Sequence, residues 1–201
     1  MTTQHALMRR AAAAAGVAAA AVVLSACGST THDDHTTSAR PSASSARHNA
    51  ADVSFAQGMI PHHRQALEMA ELAATRAASP EVRSLAVEIR KAQDPEIRTM
   101  SGWLAAWGEP VPAAGASGEH GGHAMSGMMT DQEMEDLGNS SGKAFDTAFL
   151  TLMVEHHRGA VEMARSELDN GAHRPAKDLA RAVVTAQTNE IDRMNKLLGE
   201  K

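Results

Sequence analysis

The feature that most constrains this chain is that its main segment is written twice. Asp52, Phe55, Met59, His62, His63, Arg64, Ala66, Glu68, Met69 and Ala70 recur 94 residues later as Asp146, Phe149, Met153, His156, His157, Arg158, Ala160, Glu162, Met163 and Ala164. At the same offset Ala92, Gln93, Glu96, Ile97 and Met100 recur as Ala186, Gln187, Glu190, Ile191 and Met194. One repeat unit therefore covers two consecutive elements, and the fold must accommodate two copies of one hairpin.

Each element has the helical signature. Ala, Leu, Glu, Met and Arg dominate, apolar residues recur three and four apart, and strand alternation is missing. Ser79-Pro80 suits a helix start, Gly108 and Pro110 follow a helix end, Asn170-Gly171 marks another stop, and Pro175 opens the last helix. Helices are expected near 53–78, 80–107, 143–169 and 175–198, with a short fifth near 131–138 where Thr130 and Glu133 form a capping-box pattern. Two antiparallel hairpins, 53–107 and 143–198, then bury their apolar stripes against each other as an all-α four-helix bundle spanning 51–200. Phe55, Leu85, Ile89, Ile97, Leu104, Phe149, Leu152, Val183, Ile191 and Leu198 are the expected core. Pro61 and Pro95 fall inside the first copy's helices, where proline commonly kinks the axis; Glu155 and Asn189 replace them in the second.

The buried stripe carries polar residues. At about 100° per residue, with Met59 at zero, His62 falls near 300°, His63 near 40° and Met69 near 280°, all on the broad face shared by Phe55 and Ala66. On the second helix Gln93, Glu96 and Met100 fall among Ile89, Ile97 and Leu104. A carboxylate on an apolar face requires a partner. The expected arrangement brings His62, His63, His156, His157, Glu96 and Glu190 together about a pseudo-two-fold axis, with Gln93 and Gln187 behind them. Imidazole with carboxylate suits copper, zinc, iron or nickel. Met59, Met100, Met153 and Met194 share the buried faces; as ligands they would favour Cu(I), and otherwise they fill the core. A metal ion, copper first and zinc or iron behind it, is the expected ligand. Spacing leaves open which histidine of each pair ligates, and a metal-free polar core built on His–Glu hydrogen bonds explains the same residues.

The flanks carry separate signals. Arg9 and Arg10, an apolar run Ala11 to Leu24 and the sequence Leu24-Ser25-Ala26-Cys27 read as a signal peptide over 1–26 ending in a lipobox. The run is too short for a span of about 20 residues. Cys27 is the one cysteine, expected to be lipidated and to anchor an exported chain to the outer face of the membrane, with 27–50 as a flexible tether and His32, His35 and His48 as solvated spectators. No thiol then remains for a disulfide or a thiolate site. The chain has 19 basic and 24 acidic residues; loss of Arg9 and Arg10 leaves 17 against 24, a net charge of −7, which argues against nucleic acid as a partner. No feature identifies a protein partner. The crossover 108–142 is glycine-rich at its centre, and His120, His123, Met125, Met128 and Met129 there are candidate auxiliary soft-metal ligands.

Met59-Ile-Pro-His62-His63-Arg-Gln-Ala-Leu-Glu-Met69-Ala and its second copy from Met153 resemble the family known as domain of unknown function 305, across about residues 50–199. The resemblance implies a ferritin-like bundle in exported bacterial proteins, some of them copper-binding. A binding protein for copper sequestration, resistance or transfer, with no catalytic residues, is the leading functional expectation. The rivals are a di-metal oxidase and a metal-free envelope protein. Ferritin-like di-metal sites use Glu on two helices and Glu-x-x-His on two others, and this chain has no Glu-x-x-His.

Overall fold

The computed structural model describes residues 47–114 and 126–199. Five helices follow in order: α1 (Ala50–Arg76), α2 (Pro80–Trp107), α3 (Asp131–Asn139), α4 (Gly142–Asn170) and α5 (Arg174–Leu198). The four long helices form the expected all-α bundle, and no strand is present among the described residues. Their limits follow local chemistry. Asn49 starts α1 three residues earlier than the apolar period suggests, because its side chain accepts from the Ala51 and Asp52 amides while Asp52 reaches back to the Asn49 amide. Ser79 caps α2 with Pro80 in its first turn, and Gly108, at φ 77°, ends it in the left-handed region. Thr130 and Glu133 form the expected capping box on α3. Pro61 and Pro95 lie within unbroken helices, the first half-buried and the second exposed.

α1 packs on α2, α4 on α5, and the two hairpins meet through α1 and α4. Asp52 near the start of α1 accepts the amides of Ala172 and His173 beyond the end of α4, at 3.1 and 2.8 Å. Asp146 near the start of α4 accepts those of Ala78 and Ser79 beyond the end of α1, at 3.1 and 2.9 Å. All four amides belong to turns related by the repeat offset, so the aspartates are reciprocal clamps that run α1 and α4 antiparallel about the pseudo-two-fold axis. The repeat displayed both residues without revealing this role. Antiparallel helices clamped at both ends cross at their middles, where His62 and His156 lie.

The apolar core consists of two clusters. One holds Ala66 to Ala73 of α1, Val82 to Ile89 of α2, Phe145 to Val154 of α4 and Met194 of α5. The other holds Phe55 to Ile60, Met100 and Leu104, Ala160 and Ala164, and Ala176 to Val183. Every long helix passes from one cluster to the other through its polar residues: His62-His63, Gln93 with Glu96, His156-His157, and Gln187 with Glu190. A polar layer thus cuts the core in two. Of the expected core, Phe55, Leu85, Ile89, Leu104, Phe149 and Val183 are buried, while Ile97, Leu152, Ile191 and Leu198 pack partly buried around it.

The ends of the crossover are held rather than loose. Arg64 donates to the Pro112 and Ala113 carbonyls at 2.8 Å, and Gln57 to Pro110 at 3.0 Å. Met129, expected as an auxiliary soft-metal ligand in the crossover, sits in the first core cluster at 7% exposure, while Met128 beside it is half-buried. His120, His123, Met125, Cys27, His32 and His35 lie outside the described residues. His48 is no solvated spectator, since its ring stacks on Trp107 with centroids 4.5 Å apart.

Candidate metal centre

The polar layer is built from pairs. His62, His63, His156 and His157 are each fully buried. His62 and His156 meet across the pseudo-two-fold axis with ring centroids 3.7 Å apart and planes tilted by 40°. His63 Nε2 lies 2.7 Å from Glu96 Oε2, and His157 Nε2 lies 2.6 Å from Glu190 Oε2. The carboxylates, 21% and 20% exposed, keep contact with water at the flanks of the layer. An ionised carboxylate only accepts, so each Nε2 donates, and in the neutral tautomer this leaves the Nδ1 lone pair free. Spacing could not separate the two histidines of each pair; here the second of each belongs to the glutamate.

Several buried atoms have no hydrogen-bond partner: both ring nitrogens of His62 and His156, Nδ1 of His63 and His157, and Oε1 of Gln93 and Gln187. An unpaired buried polar group costs about 1–3 kcal/mol. Native interiors hold few of them, and one layer collecting this many requires a reason. Electrostatics point the same way. Burial, then the charges His63 and His157 would carry, hold His62 down at about 3, against a smaller opposing pull from the nearby Ser126 carbonyl. Burial likewise holds His156 well below the usual imidazole range, helped by His62, His157 and His63. Both rings are neutral at physiological pH, the form in which imidazole ligates a metal.

The layer differs from the expected convergence on one point. Among the described residues, no three His, Cys, Asp or Glu side chains stand together as a ready coordination group. The physical reason is visible in the pairs: Glu96 and Glu190 turn to His63 and His157, and His62 and His156 pack on each other. The carboxylates therefore orient and polarise imidazoles, as partners behind metal ligands do. The methionines bracket the layer. Met59 and Met100 are buried in one cluster, and Met153 and Met194 in the other, each pair contributed by one hairpin. Four buried imidazoles between buried thioethers form a donor set of borderline and soft character, of the kind that suits copper.

Sequence reading missed a second buried polar group at the end of the bundle. Glu167 is 1% exposed and fills the space beside Gly171, where a Cβ would meet its Oε1 at 2.1 Å. Burial and the adjoining Asp52 push its carboxyl up to about 8. Asp52 is itself desolvated by burial, but the amides of His173, Asn49 and Ala172 and the Glu167 contact outweigh this and hold it below the ordinary range. Glu167 therefore keeps its proton at physiological pH, and neither of its buried oxygens has a hydrogen-bond partner. In the first copy its place is taken by Ala73, so the repeat gave no signal of it.

No curated protein matches the chain. Solved structures do. A Streptomyces coelicolor protein of the domain-of-unknown-function 305 family, assigned as secreted, is 39% identical, with a TM-score of 0.68 over 80% of this chain and 98% of that one. A fragment of the same family from Deinococcus radiodurans is 36% identical, with a TM-score of 0.67 over 75% and 97%. CopM is similar in its Cu(II)-bound form, at 35% identity and a TM-score of 0.63 over 73% of this chain and 94% of that one, and in its Cu(I)-bound form at 31% and 0.60 over the same shares. The family model for the domain of unknown function 305 matches residues 52–198, which include both hairpins and the whole polar layer, and the chain belongs to that family.

Proposed function

We propose that this chain is an exported, lipid-anchored protein that binds copper as cargo for sequestration, resistance or transfer, with no catalytic turnover. The observation that carries the reading is the layer of buried, neutral, unpartnered imidazoles at the crossing of α1 and α4. His62 and His156, with Nδ1 of His63 and His157, supply the nitrogen donors. Met59, Met100, Met153 and Met194 add thioethers that favour Cu(I) over zinc or iron. Glu96 and Glu190 hold two rings in the ligating tautomer, and Gln93 and Gln187 lie beside them. The family relation to CopM, solved with Cu(I), Cu(II) and silver, supports copper over other borderline metals.

Export and anchoring through Cys27 follow from the amino-terminal sequence and agree with the secreted assignment of the Streptomyces coelicolor relative. Among the described residues, no helix is long and apolar enough to cross a membrane. The test is metal analysis of untagged protein, followed by anaerobic Cu(I) and aerobic Cu(II) titration against a competing chelator. His62→Ala with His156→Ala should abolish the tightest site while circular dichroism stays helical. Tight binding that survives this double substitution would return the layer to a metal-free polar core.

A further inference from the structure

The crossover re-enters the fold across the histidine layer. Gln65 of α1 makes a two-way backbone-like pair with Met129: its Nε2 donates to the Met129 carbonyl at 2.8 Å, and the Met129 amide donates to its Oε1 at 2.7 Å. Three and two residues upstream, Ser126 and Gly127 lie on α4. Ser126 Oγ donates to Glu162 Oε2 at 2.6 Å. Gly127 has φ 79°, and a Cβ there would meet the Glu155 carbonyl at 2.7 Å. Gly159 of α4 is in still closer contact, since a Cβ on it would meet the Ser126 carbonyl oxygen at 1.9 Å and Gly127 Cα at 2.8 Å. Backbone lies directly on backbone here, and side chains at either position would lift the segment.

The latch points are related by the repeat. Gln65 and Gly159 are 94 residues apart, each three residues after the first histidine of its pair. A segment fastened to both crosses the pseudo-two-fold axis where His62 stacks on His156. Both rings have zero exposure beneath it, whereas Glu96 and Glu190 on the flanks are about one-fifth exposed. Met129 anchors the segment in the first core cluster. Here, over the candidate centre, the duplication breaks its own symmetry with Gln65 against Gly159.

We propose that Ser126–Met129 is the access gate of the histidine layer, latched by Gln65 and Gly159, so that its opening sets how fast a metal ion enters and leaves. The proposal rests on the copper-binding reading for its function, though the gate itself can be observed without metal. A gate that supplies no ligand speeds entry and exit equally when weakened and leaves affinity nearly unchanged.

The experiment uses the full chain as wild type, Gln65→Ala, Gly159→Ala and the control Gly138→Ala, whose added Cβ meets nothing within 4 Å. The first readout is carbethoxylation of the apo protein by diethyl pyrocarbonate, followed by mass spectrometry on the His62-His63 and His156-His157 peptides. Both latch variants should be modified about tenfold faster than wild type, with the control unchanged. The second is stopped-flow transfer of Cu(I) to and from a chelator. Both rate constants should rise together by a similar factor, with Kd within about threefold of wild type. Wild-type labelling rates in both latch variants would overturn the gate, as would a weakened Kd with an unchanged entry rate. If wild-type protein binds no copper, the copper reading fails, and the labelling rates alone decide the gate. Circular dichroism checks each variant's fold, and Gln65→Ala, which adds no bulk, keeps the test decisive if Gly159→Ala does not fold.

Discussion

Replacing Glu167 by Gln isolates one buried proton and should change how stability depends on pH. In the folded protein the carboxyl is raised from 4.5 to about 8, by burial first and by Asp52 second. An acid whose folded pKa is raised binds its proton more tightly when folded, so its contribution is complete below pH 4.5 and is lost as pH climbs to about 8. Each pKa unit corresponds to about 1.4 kcal/mol. The loss is therefore about 3 kcal/mol at pH 7 and approaches 5 kcal/mol above pH 8, with screening at the end of the bundle reducing both figures. Glutamine has nearly the same shape and no proton to lose. Urea unfolding of apo wild type and Glu167→Gln, followed by circular dichroism from pH 5 to 9, provides the comparison. The difference between them should widen in favour of the variant up to about pH 8 and then level off. Parallel curves over that range would refute the raised Glu167 carboxyl.

Four further outcomes are expected. His62→Leu with His156→Leu removes unpartnered buried nitrogens, so the apo protein should gain about 1–3 kcal/mol, read as a Tm rise of several degrees, while losing tight copper binding. It should also lose part of the acid lability that these two rings confer, because groups held low contribute stability that is complete above pH 6.5 and lost as pH falls below it, toward about 3 for His62. Glu96→Gln or Glu190→Gln should weaken copper binding about 10–100-fold in chelator competition without unfolding the bundle. Asp52→Ala and Asp146→Ala should each cost about 2–4 kcal/mol in urea unfolding, the losses being nearly additive because the clamps lie at opposite ends of α1. Cys27→Ser should move the exported protein from the membrane to the soluble fraction, and unchanged fractionation would refute the anchor.

Much of this arrangement is legible in the residues because the chain states it twice. The 94-residue offset separates the paired histidines from their variable surroundings, and Pro80 and Gly108 mark the limits of α2 to the residue. Three things stay out of reach for physical reasons. Periodicity places His62 and His63 on one broad face but cannot say which of them meets a glutamate, since that depends on the rotation of α1 against α2. Asp52 shows only as a repeated acid until the turn after α4 is brought against it from 120 residues away. Glu167 and Gly159 each occur in one copy only, so a reading that searches for what repeats passes over them.

The departure at Gly159 explains what the symmetry cannot supply. A two-fold axis relates the two hairpins but not its own two ends, so a cover over one end has no symmetry mate. A single crossover can cover only one side, and it must touch both copies of one surface position. If that position were Gln in both, a second side chain would stand where the backbone of Ser126 and Gly127 lies; if it were Gly in both, Met129 would lose both hydrogen bonds that fasten it. Gln at one copy and Gly at the other is the combination that allows the segment to lie flat and stay fastened. The imidazole layer thus depends on the duplication for its donors and on the broken duplication for its cover.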